Sequence, residues 1–448
     1  MKKQSSIRIQ KKEKQQATKH ATLRNIFTTQ KPAYILILIS IALYANTFGH
    51  HYALDDGYVI TDNKFTQQGI KGIPDILSNH FFAGRYGKNA NVVVGGRYRP
   101  LSVVTFAIEY QFFKQNPTIS HIINVLLYTL LIVMIYRVLL RLFPEQGHWF
   151  FSFAFISSLL YLTHPLHTEV VANIKGRDEI LTFMGGIIAL YYGLKYLDTS
   201  QTKYRWFAGI AFFLGLMAKE NIITFLAVIP LTVYFFTSYD IKKNISLLVP
   251  LIIASILFIA IRQSVLHGVP KDVANSNSIL NNPFLGMTFA EKYATIFYTL
   301  GLYLKLLFIP LKLTFDYYPY YIPTYNWTHP EAFVPFVIYV VMAIVAVASV
   351  RRKTMLSWSI LFYFSTLSIT SNIFFPIGAF MSERFVFVTS LAFSMLMAYY
   401  LLQVPIVMKH TKAAYALIAV VVLLVVILYG LKTIDRNKAW KDSYTLFM

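Results

Sequence analysis

NTFGHHYALDDGYVITDN, residues 46–63, is where an apolar run ends and two adjacent carboxylates, Asp55 and Asp56, follow at once. If the run ends near Phe48 and the chain stays helical at roughly 1.5 Å per residue, the pair lies only about 10 Å beyond it, at the depth of lipid headgroups. An ion in hydrocarbon is costly. At headgroup depth a carboxylate pair reaches a phosphate-linked lipid from one side and a water-borne acceptor from the other.

The composition around that stretch is that of an all-α polytopic membrane protein. Of 448 residues 56% are hydrophobic and 14% charged, with a mean hydropathy of +0.52, more apolar surface than a water-soluble fold can cover. The absence of cysteine removes disulfides, thiolate metal sites and thiol nucleophiles together. The formal charge of +21 is carried mostly at the ends of apolar runs, where lysine and arginine anchor helices and meet anionic lipid. That pattern points to membrane lipids and away from nucleic acid. Residues 1–31 hold nine lysines and arginines against Glu13 alone, a basic arm expected to be disordered and cytoplasmic. The first apolar run lacks a small-residue cleavage site, so it is expected to stay as a helix.

Eleven apolar stretches predict crossings: 32–48, 121–136, 149–162, 180–197, 206–217, 222–236, 245–261, 333–350, 356–369, 385–402 and 413–431. Arg137 and Arg141, then Lys195, Lys203 and Arg205, then Lys242 and Lys243 fall on alternate loops, as the positive-inside rule requires. The run 289–309 is apolar but carries Glu291, Lys292 and Lys305. Were it to cross, Arg351, Arg352 and Lys353 would land outside, so it is expected to be interfacial or re-entrant. The predicted membrane domain is 32–431, with external loops 49–118 (including an interfacial helix), 163–179 and 262–332, and an external C-terminal segment 432–448. Pro165, Pro230, Pro250, Pro310 and Pro335 are expected near span ends.

On that count the placed charges share one side. They are Asp55 and Asp56; Arg97 and Arg99 in GGRYRP; His164, His167, Glu169, Lys175, Arg177, Asp178 and Glu179 in THPLHTEVVANIKGRDEIL; Lys219 with Glu220; and Glu383 with Arg384. Moving a sugar from a lipid phosphate needs a base for the acceptor hydroxyl, a negative group near the developing oxocarbenium, and cations on the departing phosphate. The aspartates supply the first two, and arginine matches phosphate oxygens bidentately. Plainer roles stand beside these. Adjacent aspartates also form solvated turns, arginines snorkel to headgroups, and the two charge pairs can be simple surface ion pairs. The His164 and His167 spacing is HxxH rather than HExxH, and His164 before Pro165 fits a helix start. No metal and no cofactor is expected.

YALDDGYVITDN, GGRYRPLSVVTFAIEYQFF, THPLHTEVVANIKGRDEIL, GLMAKEN and MSERFVFVTSLAF, in that order, resemble the membrane part of the transmembrane-and-tetratricopeptide-repeat family. These are O-mannosyltransferases of the GT-C superfamily, related to the protein O-mannosyltransferases. The resemblance runs from about Leu43 to Trp440. It implies a GT-C fold and an inverting transfer of a sugar, mannose, from a polyprenyl or dolichyl phosphate to an external hydroxyl on protein or glycan. It implies Asp55 as base and Asp56 as acceptor-positioning group. Arg384 is implied as a donor-phosphate ligand, with Arg177 and Arg99 candidates for the same pocket; from their place among the external charges Arg97 is expected to join them, and His164, His167, Glu169, Asp178, Glu179, Lys219, Glu220 and Glu383 are expected to position substrate. Family members continue from a segment like TIDRNKAWKDSYTLF into tetratricopeptide repeats, which leaves the acceptor open. The basic arm and the lack of cysteine suggest a bacterial inner membrane. The competing classes are a lipid-linked sugar flippase, whose charges would line a path through the bilayer, and a non-catalytic membrane scaffold.

Overall fold

A computed structural model describes residues 30–90, 96–144, 147–239, 241–267, 282–317 and 321–448. The basic arm up to residue 29, Gly95 of the GGRYRP motif and residues 268–281 of the long loop lie outside the described residues. The described chain is helical throughout, with no strand among the described residues. The main helices are α1 Gln30–Tyr44, α2 Pro100–Phe113, α3 Pro117–Leu142, α4 Phe153–Thr163, α5 Arg177–Thr199, α6 Thr202–Ala218, α7 Phe225–Phe236, α8 Ile241–Leu266, α9 Phe289–Phe308, α10 Pro330–Ser349, α11 Met355–Leu367, α12 Ser390–Val407 and α13 Lys412–Asn437, followed by the short α14 Ser443–Phe447.

Their boundaries follow from local chemistry. The Asn116 side chain accepts from Ile119 N–H, with Pro117 at the first helical position. Ser152, Thr354 and Thr411 cap α4, α11 and α13 in the same way, and Thr288 with Glu291 forms a reciprocal capping box on α9. Among the described residues seven helical segments are long and apolar enough to cross a bilayer, and three shorter apolar ones accompany them. The chain is a multi-pass membrane protein. Its outer surface is as apolar as its interior. On α10, Phe333, Val334, Val341, Ile344 and Val347 are all exposed, the reverse of a soluble helix.

Pro230, Pro250 and Pro335 do not sit at span ends but inside α7, α8 and α10. A proline inside a membrane helix is tolerated when neighbours take up the disturbance. Gly209 lies against Pro250 so closely that a Cβ there would come 2.8 Å from the proline Cβ.

The bundle brings many loops to one end. Ser200, in the left-handed conformation, turns α5 back into α6, so Lys219 and Glu220 return to the level of Asp178 and Glu179. At the same end Asn437 of α13 donates to Leu43 O, Thr433 to Thr163 O, and His164 contacts Leu307 O of α9. Near its other end α9 is tied to the loop after α11, where Tyr293 donates to Ile373 O at 3.1 Å. The α5–α6 hairpin closes through glycine. A Cβ on Gly185 would lie 2.7 Å from Gly215 Cα, and Thr182 Oγ1 donates to Gly215 O at 3.1 Å, a small-residue contact of the kind that lets membrane helices approach.

Replacing Gly185 by valine forces α5 from α6 and lowers stability by about 1–3 kcal/mol, the usual cost of overpacking. The check is the apparent melting temperature of the detergent-purified protein. An unchanged value would show that the two backbones do not meet here.

Candidate functional site

The charged residues singled out in the sequence gather in one layer at this end, and most are tied to each other. Arg177, wholly buried, donates to Glu109 at 2.9 Å, to Asn124 Oδ1 at 2.7 Å and to Ser120 O at 3.2 Å, with its guanidinium 4.2 Å from the centre of the Phe106 ring. Arg99 makes two hydrogen bonds to Glu220, at 2.7 and 3.0 Å, and reaches Asp178 at 3.4 Å. Lys175 also pairs with Asp178, at 3.2 Å, and Lys219 pairs with Glu179. Removing one partner of such a buried pair strands the other charge, at a cost of about 3–5 kcal/mol. Arg99, Arg177, Glu179, Lys219 and Glu220 are therefore structural ties here, not free ligands.

The histidines are equally committed. His164 Nδ1 accepts from Leu166 N–H at 3.3 Å while Nε2 faces Leu307 O at 3.0 Å, which fixes the tautomer with the proton on Nε2. Burial lowers its pKa to about 4, so the ring is neutral. His167 holds Tyr128 at 2.8 Å and Ser390 at 2.9 Å. Neither ring offers a lone pair to a ligand. Among the described residues no group of three or more histidines and carboxylates could hold a metal ion.

The two aspartates part company. Asp56 is 1% exposed, and its carboxylate accepts Ala53 N–H at 2.9 Å through Oδ2 and Lys175 N–H at 2.8 Å through Oδ1. Both oxygens are spent on backbone, so Asp56 pins its own turn to the loop 173–179 instead of facing an acceptor. Burial drives its pKa up to about 7, against the pull of the two backbone bonds. Asp55, one residue earlier, is partly exposed, and its carboxylate has no hydrogen bond or ion pair among the described residues. Leu54 before it has φ +49°, a conformation that a branched, bulky side chain rarely adopts.

Two guanidinium groups lie close enough to feel the charge of Asp55. Arg384 is 26% exposed and pairs with Glu169, whose carboxylate also takes Ser382 Oγ–H and Arg384 N–H. Burial alone would lower the Arg384 pKa, but the charges of Glu169 and then Asp55 raise it above the ordinary arginine value. Arg97 has no hydrogen bond or ion pair among the described residues and lies 5.8 Å from the Phe82 ring. Burial, with repulsion from Arg99 and Arg384, lowers its pKa to about 10, so it remains a cation at neutral pH without a partner. Such a group is a ready anion ligand.

Glu383, next in sequence to Arg384, positions another loop. Its Oε1 accepts Thr314 N–H at 2.6 Å and Tyr317 O–H at 3.1 Å. Burial raises its pKa to about 8. Between Thr314 and Tyr317 in the chain lies Asp316, which is exposed and feels the charges of Arg384, Glu169 and Asp55. Asp316 is not among the sequence candidates, since it lies in the external loop 262–332 outside the charged motifs. Asn124 was missed as well, although a lone amide in the apolar run of α3 is a signal. It donates to Asn173 O and Ile174 O while accepting from Arg177.

Beside this layer an open cavity of about 750 Å³ runs between α9, α10, α11 and α12, lined by hydrocarbon such as Leu302, Val334, Ile338, Met342 and Leu396. Leu307 and Phe393 of its wall contact His164, and Tyr303 of α9 accepts Ser382 N–H at 3.0 Å, two residues before Arg384.

Asp56 gives the layer a pH signature. Unfolded, its carboxyl has a pKa near 3.8, and folded near 7, so between those values the folded state binds more protons than the unfolded one. Stability therefore falls as pH rises through that window and levels off above it. Thermal melts of the purified protein at pH 4.5 and 7.5 test this: Asp56→Asn should lack that component of the slope. An identical slope in both proteins would overturn it.

Residues 100–265 match the family model described as dolichyl-phosphate-mannose-protein mannosyltransferase. A protein O-mannosyl-transferase of Caenorhabditis elegans is 28% identical over 92% of this chain and 56% of its own length. Human protein O-mannosyl-transferases TMTC3 and TMTC1 are 24% and 25% identical, each over 93% of this chain and 47% and 50% of their own lengths. The chain thus spans about half the length of the curated relatives it matches. The order of its motifs, its all-helical membrane fold and these likenesses together make the chain similar to the TMTC protein O-mannosyl-transferases.

Proposed function

We propose that the chain is an inverting glycosyltransferase that moves mannose from a polyprenyl or dolichyl phosphate to a hydroxyl, serine or threonine on protein, at the external face of the membrane. One observation carries this reading: Asp55 is a partly exposed carboxylate with no hydrogen bond or ion pair among the described residues, and its charge acts on Arg384 and Arg97 in a layer where most other charges are paired. Its relatives are named as protein O-mannosyl-transferases, which supports the same activity.

Asp55 takes the proton from the acceptor hydroxyl as its oxygen bonds to the anomeric carbon from the face opposite the phosphate. The bond from that carbon to the phosphate oxygen breaks, and its electron pair leaves with the phosphate. Arg97 and Arg384 meet the charge that develops there, in a site of low dielectric where fixed cations act more strongly than in water. The Glu169 pair with Arg384 holds that guanidinium in place and leaves Arg97 as the freer of the two. The isoprenoid tail lies in the hydrocarbon-lined cavity, with α9 at the interface between tail and headgroup. Asp316 stands on the acceptor side of Asp55.

Purified protein given a polyprenyl phosphate mannose and serine- or threonine-containing peptides tests the assignment. Asp55→Asn lowers transfer by about 10²-fold or more, the usual weight of a general base, and keeps donor binding. Arg97→Ala weakens donor binding by about tenfold, one charge-assisted contact. A fully active Asp55→Asn protein would sink the proposal. Because two guanidinium groups neutralise the phosphate, activity persists in EDTA; complete loss with chelator would overturn the arginine-only account of the donor site.

A further inference from the structure

The C-terminal segment folds back onto the loop that carries Asp55. Asn437 Nδ2 donates to Leu43 O at 2.9 Å and to Asn46 Oδ1 at 2.8 Å, Lys441 O accepts His51 N–H at 2.8 Å, and Ser443 Oγ accepts Leu54 N–H at 3.1 Å. The last bond falls on the residue with the left-handed backbone, immediately before Asp55. A leucine stays in that conformation only when its surroundings over-determine it. Those surroundings are Trp440, wholly buried, with Ala172, Leu446 and Phe315. Phe315 in turn precedes Asp316, and its ring meets Phe447 edge-on at 5.2 Å. A single segment therefore grips the residue before each of two carboxylates at the site.

We propose that residues 437–447 form a clasp that sets the positions of Asp55 and Asp316, with Ser443 and Trp440 as its positioning residues. The effect on rate rests on Asp55 being the base; the clasp itself does not. Without the Ser443 acceptor the Leu54 amide loses its partner, residue 54 relaxes to negative φ, and the peptide leading into Asp55 turns. Asp56 remains pinned by Ala53 and Lys175, and Arg97 and Arg384 are untouched, so donor binding is spared.

Hydrogen exchange of the peptide spanning residues 51–57, measured with transfer kinetics on the full chain, tests the clasp. Ser443→Ala raises exchange at Leu54 and lowers kcat, each by about tenfold for one lost hydrogen bond, with the donor KM unchanged. Ser443→Thr keeps the hydroxyl and restores both. Leu54→Gly, which takes positive φ freely, recovers part of kcat in the Ser443→Ala background. Unchanged exchange in Ser443→Ala overturns the clasp whatever the rate does, and raised exchange with unchanged kcat overturns its role in placing the acid. If the wild-type protein transfers nothing, the proposed function fails while exchange still decides whether the clasp exists.

Discussion

The Asp56 carboxylate accepts one backbone N–H from its own turn and one from Lys175, 119 residues further on. Each bond is charge-assisted when the group is ionised and buried from water in either state, so together they fix the loop after α1 against the loop before α5. Everything at the site inherits that register. Lys175 lies on the pinned loop and pairs with Asp178 in the first turn of α5, Arg99 reaches Asp178, and Glu220 holds Arg99. A slip of one residue at Asp56 would carry Asp55 out of reach of Arg384 and leave several buried charges without partners.

A layer of ions this dry is stable only when nearly every charge is paired and hydrogen-bonded. That requirement sorts the side chains more sharply than sequence position does. Arg177, with Glu109, Asn124 and the Ser120 carbonyl around it, has no capacity left for a ligand. Arg97 has no such partner among the described residues, and Arg384 is held on one side only by Glu169. The charges left over after pairing are of opposite sign, an acid whose charge acts on two cations.

The hydrocarbon cavity and the polar layer share walls. His164, kept neutral by burial, contacts Leu307 and Phe393 on the cavity side and begins the turn that leads to Glu169 on the polar side. Tyr303 does the same from α9, placing its ring in the apolar cluster and its hydroxyl on the Ser382 amide. A ligand with a long apolar tail and a phosphate head would find both environments continuous, without an ion having to enter lipid.

Hydropathy and length mark apolar stretches that fold as helices, seven of them among the described residues long enough to cross a bilayer, because a segment whose side chains prefer hydrocarbon must satisfy its backbone internally. The same one-dimensional signal cannot say that Pro230 and Pro250 lie inside helices, since the glycine space that accommodates Pro250 comes from α6. The motif order likewise put Asp55, Asp56, Arg97, Arg99, Arg177 and Arg384 in one candidate set. It could not divide them: Asp55 and Asp56 are chemically identical neighbours, and only their environments differ. Which acid is spent on backbone, which arginine is consumed by Glu109 or Glu220, and that Asp316 joins them are outcomes of contacts between residues tens to hundreds of positions apart. The sequence by itself determined a helical membrane protein with its charges on one rim; pairing and burial in three dimensions decided which of those charges remain free to act.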